Sequence, residues 1–129
     1  MSVLNHVVLV QNTEVEWRDL GDKLAQEGFS CDVLSPEELQ QERLRNLRPA
    51  VVLLCAELPQ ALLARSIQQI RKGFPNLPIV LVADEMPTGD APARLLPAAD
   101  GLCYRNVASA HLALMLHGVI RLAFTVQEL

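Results

Sequence analysis

Arg48-Pro49-Ala50-Val51-Val52-Leu53-Leu54-Cys55-Ala56-Glu57-Leu58-Pro59-Gln60 decides the fold of this chain. Its apolar run, Val51 to Leu54, is rich in β-branched residues and carries proline on both flanks, which reads as a strand buried on both faces. A strand covered on both sides is a central strand of a parallel sheet. In such sheets ligands and chemistry gather just beyond the carboxyl ends of the strands, so Cys55 stands where this fold keeps its active group.

Outward from that strand the pattern alternates. On the amino-terminal side, Ser35-Pro36-Glu37-Glu38 combines an N-cap, a proline at the first helical position and a glutamate at N3, predicting a helix with Leu39, Leu44 and Leu47 as its apolar stripe and Arg48-Pro49 as its stop. Phe29 to Leu34 precedes it as a strand. Before that, Thr13 and Glu16 have capping-box spacing and predict a helix with Trp17, Leu20 and Leu24 on one face and Gly28 as its end. The first strand is Val7 to Val10, closed by Gln11-Asn12-Thr13.

On the carboxyl-terminal side, Leu63, Ile67, Ile70 and Phe74 mark one face of a helix that stops at Gly73-Phe74-Pro75. Ile79 to Ala83 is a fourth strand. Asp84 to Pro97 holds Pro87, Gly89, Pro92 and Pro97, which predicts an irregular segment with at most a short helix over Ala91 to Leu96. Leu102 to Tyr104 is a short fifth strand, and Asn106 or Ser109 caps a last helix. Strands and helices alternating at these spacings predict one doubly wound α/β domain over residues 1–129 with a five-stranded parallel sheet; the expected strand order is 2-1-3-4-5, which is flavodoxin-like.

With 129 residues, half of them apolar, the chain is long enough to bury a core without disulfides or metals. Its net charge of −4 and scattered Lys and Arg lack the basic stripe of a nucleic-acid binder, so no direct nucleic-acid contact is expected. Cys31, Cys55 and Cys103 are an odd, widely spaced set, which argues against a disulfide framework or zinc site and suits a reducing cytoplasm. The amino terminus has no basic leader and its apolar run is too short for a signal peptide or membrane span.

Four phrases in order resemble the receiver domain of bacterial two-component response regulators: Val7 to Val10 before Gln11, the Arg48 to Pro59 stretch, Leu77 to Ala83, and Ala98 to Arg105. The resemblance implies aspartyl phosphorylation in the family: a carboxylate after strand three attacks a phosphodonor, and two acidic residues after strand one hold magnesium. A hydroxyl after strand four and a lysine after strand five bind the phosphoryl oxygens. Here the acidic pair falls on Gln11 and Asn12, the phosphoacceptor on Cys55, the hydroxyl on Ala83 and the lysine on Arg105.

Each departure has a chemical consequence. Magnesium prefers anionic oxygen ligands, which two amides do not supply. A thiol cannot form an acyl phosphate, a methyl cannot hydrogen-bond a phosphoryl group, and a guanidinium is not an ammonium point charge. The expectation is a pseudo-receiver, not an enzyme, with no metal and no cofactor.

Cys55 has two readings. It is a small buried hydrophobe that removes an unpaired charge from the strand end, or it is a redox or electrophile sensor with Arg105 across the crevice lowering its pKa. Glu57 and Asp84 are the carboxylates near the crevice, read as surface groups or salt-bridge partners of Arg105 rather than as a metal site with Asn12. His6, His111 and His117 are dispersed and read as structural or surface residues. A flavin- or nucleotide-binding module is a further alternative, though Gln11-Asn12-Thr13-Glu14 is no glycine-rich phosphate loop.

The last helix has a core stripe of Leu112, Met115, Leu116, Val119, Ile120 and Ala123, yet Leu114, Leu122, Phe124 and Val126 place apolar groups around the rest. In the resembled family the face built from the last two helices and the last strand is the common dimer and output surface. A protein-docking face through Leu114, Leu122, Phe124 and Tyr104, with a homodimer as one product, is therefore expected. A whole chain of this kind would be a single-domain adaptor in signal transduction or transcriptional control, and a fragment would continue into an output domain.

Overall fold

The computed structural model describes residues 5–11, 18–83 and 99–128, without the side chains of Arg18 and residues 124–128. The elements are β1 (His6–Val10), α1 (Arg18–Gln26), β2 (Ser30–Leu34), a 3₁₀ turn (Pro36–Glu38), α2 (Gln41–Leu47), β3 (Val51–Cys55), α3 (Gln60–Gly73), β4 (Ile79–Ala83), β5 (Gly101–Tyr104) and α4 (Ser109–Glu128). All pairings are parallel and the order is β2-β1-β3-β4-β5, as the sequence predicts. The capping box expected at Thr13 and Glu16, Trp17, and the segment from Asp84 to Pro97 with the short helix expected there lie outside the described residues.

β3 and β4 are buried along their whole length and β1 over its last four residues, because right-handed crossovers cover both faces of the sheet. The chain moves one way from β1 to β2 and the opposite way from β2 through β3 to β4. The α1 crossover therefore lies on the opposite face from α2 and α3. Accordingly α1 packs with α4, and α2 packs with α3.

α1 ends where Gly28 takes φ +87°, a left-handed conformation free of side-chain strain only for glycine. The Phe29 N–H then donates to Leu24 O at 2.9 Å and the Gly28 N–H to Ala25 O at 3.1 Å, the paired bonds of a Schellman ending. Arg48 closes α2 with φ 51°, its N–H donating to Leu44 O at 2.9 Å.

The second helix differs from the expectation. Ser35 and Glu38 do form a capping contact, the Ser35 N–H donating to the Glu38 carboxylate at 3.0 Å, but the turn is 3₁₀ and α2 starts only at Gln41. The reason is geometric. Leu39 and Leu44 are five residues apart, about 140° around a continuous helix, and could not share one face. The break at Leu39–Gln40 lets both leucines enter the core, where both are buried.

Two polar clamps fix the amino end of the sheet. Asp100 Oδ2 accepts from the Ile79 N–H at 2.8 Å and from Arg71 Nη2 at 2.9 Å, while Arg71 Nη1 donates to Leu77 O at 2.7 Å. At the other edge His6 Nδ1 lies 2.7 Å from Ser30 Oγ, and Nε2 lies 2.8 Å from Asp32 Oδ2. These contacts give His6 the structural role read from its isolation in the sequence.

Candidate functional site

The carboxyl edge of the sheet is assembled by register. Val10 pairs with Leu54, Cys55 with Val82, and Ala83 with Tyr104. Sheet-like bonds continue one residue beyond the strands: the Gln11 N–H donates to Leu34 O (3.0 Å), Ala56 N–H to Val82 O (2.8 Å) and Arg105 N–H to Ala83 O (2.8 Å). Gln11, Cys55, Ala83 and Arg105 thus stand along one edge, as their places in the sequence predict. Asn12 and Asp84 lie outside the described residues.

This edge is closed rather than open at its centre. Cys55 is 1% exposed and Ala83 is 2% exposed, so a thiol and a methyl belong to the core where the strands end. Gln11 is half-buried and Glu57 exposed. Leu58 folds back into the core, its N–H donating to Cys55 O at 3.2 Å.

Arg105 is held by a residue that sequence reading did not single out. Asp19 of α1 accepts from Arg105 Nε at 3.1 and 3.2 Å and lies 3.0 Å from Nη2. The Arg105 hydrogen bond, opposed in part by burial, holds the Asp19 carboxyl below its ordinary range. Lys23, one turn along the same helix, donates to Arg105 O at 2.9 Å. Asp19 and Lys23 are four residues apart on α1 and so on one face of it, from which both reach the residue after β5.

The cysteines are all free. Cys55 and Cys103 both pair in register with Val82, so they flank it two strand spacings apart, about 9–10 Å. That exceeds the roughly 7 Å Cα limit for a disulfide. Burial pushes the Cys103 thiol up to about 11, with Lys23 opposing; burial and the neighbouring Asp32 charge push Cys31 to about 11 as well. Among the described residues no three His, Cys, Asp or Glu side chains group as metal ligands.

Of the expected interaction face, Leu114 is 74% and Leu122 67% exposed, two turns apart on α4. Tyr104 is half-buried, and the Phe124 side chain lies outside the described residues. Gly118 falls midway between the leucines, and a Cβ built there would meet nothing within 4 Å. On the opposite side of α4, Leu112, Leu116 and Ile120 are buried. Among the described residues no helix is long and apolar enough to cross a membrane.

No protein-family model matches the sequence, and a search of curated proteins finds no match. Solved structures do resemble it. NtrX from Brucella abortus, in complex with ADP, superposes with a TM-score of 0.76 at 17% identity over 95% of this chain, which spans only 28% of NtrX. A CheY-like response regulator receiver domain protein from Methanospirillum hungatei gives 0.74 at 15% identity, with 94% of this chain and 97% of that one covered. The beryllofluoride-activated NtrC4 receiver domain dimer gives 0.71 at 14% identity over 92% of this chain and 98% of that one. With its parallel order β2-β1-β3-β4-β5 and these neighbours, the chain has the fold of response-regulator receiver domains.

Proposed function

We propose that this chain is a degenerate receiver domain that acts in two-component signalling or transcriptional control by docking proteins, a second copy of itself included, without being phosphorylated. It is not an enzyme in this reading, requires no cofactor, and makes no direct nucleic-acid contact. The similarity in fold to receiver domains supports the signalling context. Loss of phosphorylation rests on the residues at the carboxyl edge: Gln11 and Asn12 carry no charge for magnesium, Cys55 is a buried thiol, and Ala83 lacks a hydroxyl.

The observation that carries the docking reading is the outer face of α4. Leu114 and Leu122 are, with Val33, the exposed large hydrophobic residues among those described, and two large apolar groups on one face of an α-helix favour a partner surface. Gly118 between them costs helix stability on the order of 0.5–1 kcal/mol relative to alanine. No close packing within the described chain calls for it. A bare position there lets another backbone approach.

The test is sedimentation of the purified protein and of Leu114→Glu and Leu122→Glu variants across concentration, with intact mass measured after acetyl phosphate and magnesium. The reading expects concentration-dependent association that either substitution weakens, and no phosphoryl adduct. A monomer at every concentration that also fails to retain any partner through this face removes the docking role. A stoichiometric phosphoryl adduct removes the loss of phosphorylation.

A further inference from the structure

We propose that a groove between the 3₁₀ turn and α3 binds a small zwitterion, an α-amino acid or short peptide, with its carboxylate on Arg65 and its ammonium on Glu37. The groove encloses about 390 Å³. That is the volume range of small-molecule sites, which are commonly apolar with a few polar groups placed to orient the ligand.

The groove lies at the interrupted second helix. The chain breaks at Leu39–Gln40, Leu39 and Leu44 are both buried, and residues of the 3₁₀ turn and of the break line the groove together with α3. One wall is the stripe Leu62, Arg65, Ser66 and Gln69, at i, i+3, i+4 and i+7 of α3, about 10 Å long. The other wall carries Glu37, Leu39 and Gln40.

The chemistry of the walls selects the ligand. Arg65 and Glu37 line the same groove, yet neither has an ion-pair partner among the described residues. One cation and one anion on opposite walls, without an ion-pair partner among the described residues, suit a molecule bearing both charges. Gln40 and Gln69 are exposed and each offers an amide donor and acceptor on the rim. On the floor, Ser66 is buried and donates its hydroxyl to Leu62 O at 2.8 Å, which leaves oxygen lone pairs to receive a ligand N–H. Leu39 and Leu62 supply the apolar surface for a side chain. The reading goes beyond docking through α4, since the lining residues of this groove come from other elements.

An amide-resolved NMR titration tests it, with leucine, glutamine and dileucine as probes and N-acetylleucine amide, which bears neither charge, as control. Saturable shifts are expected at Gln40, Ser66 and Gln69, absent with the control. Arg65→Ala and Glu37→Gln should each weaken binding by about tenfold or more. Both side chains are exposed, so the spectrum of each variant should otherwise match that of the parent. Leu114→Glu should leave the titration unchanged, which separates this site from the α4 face. Binding of dileucine alone assigns the site to a peptide, and binding of the free amino acids alone to a metabolite. No saturable shift at millimolar probe, or shifts indifferent to both substitutions, overturns the proposal.

Discussion

Asp19 holds Arg105 by two nitrogens, with Oδ1 3.0 Å from Nη2 and 3.1 Å from Nε, although the two residues stand 86 positions apart in the chain. The contact holds the guanidinium of Arg105, the residue after β5, against α1. With Lys23 on the Arg105 carbonyl, α1 pins the β5–α4 connection from two sides.

Asp19→Asn should loosen that connection and destabilise the fold only modestly, by about 1 kcal/mol or less, since both partners are partly solvated. The carboxyl is held below its ordinary value of 3.8, so its contribution is present above that pH and is lost as pH falls through the depressed value. Urea unfolding at pH 7 and below pH 4 should show the wild-type advantage over the variant shrinking in acid. Hydrogen exchange at Arg105 and Val107 should quicken in the variant.

Cys55→Asp puts a carboxylate at the carboxyl end of β3, and that carboxylate should not accept a phosphoryl group. The site is buried at the end of β3, so an added carboxylate loses its hydration, with a cost on the order of 2–4 kcal/mol. Desolvation raises such a group above its unfolded value. Stability is then kept at low pH, where the carboxyl is neutral in both states, and falls as pH rises. Thermal unfolding should show a larger deficit at pH 8 than at pH 4. Intact mass after acetyl phosphate and magnesium should show no adduct.

The thiols of Cys31 and Cys103 should be unreactive in the native protein, because their pKa near 11 leaves little thiolate at neutral pH. Alkylation at pH 8 should run at least about tenfold slower at both positions in the native state than in urea. These groups lie above their ordinary value of 9.0 when folded. Their contribution to stability is therefore intact below pH 9 and is lost as pH climbs towards 11.

Asp100→Ala should cost about 1–3 kcal/mol, because it leaves the Ile79 N–H without its side-chain acceptor at a buried position. Asp100→Asn keeps an acceptor oxygen and forfeits the charge facing Arg71, so it should cost clearly less. Chemical denaturation of the two variants side by side measures the difference. Equal losses would assign the effect to the ion pair instead.

Several features were legible without coordinates because their causes are local. Continuous β-branched runs such as Val51 to Leu54 mark buried strands, Gly28 marks a helix end, and the alternation of strands and helices marks a doubly wound parallel sheet. The exposed Leu114 and Leu122 followed from counting apolar residues around one helix. The helix predicted from Ser35 failed because its capping signal is equally compatible with one short turn, and the core demand of Leu39 overrides continuation.

Residue order was enough to establish the α/β class and the arrival of Gln11, Cys55, Ala83 and Arg105 at one edge, since parallel register carries strand ends together, and the expected order 2-1-3-4-5 is the one the structure has. Tertiary packing alone decided that Arg105 meets Asp19, that Asp100 completes the β4 hydrogen bonds, and that Arg65 and Glu37 face one groove. Those relationships join groups distant in the chain at distances of a few ångströms. No local pattern encodes them, because each depends on how two separately formed elements come to rest against one sheet.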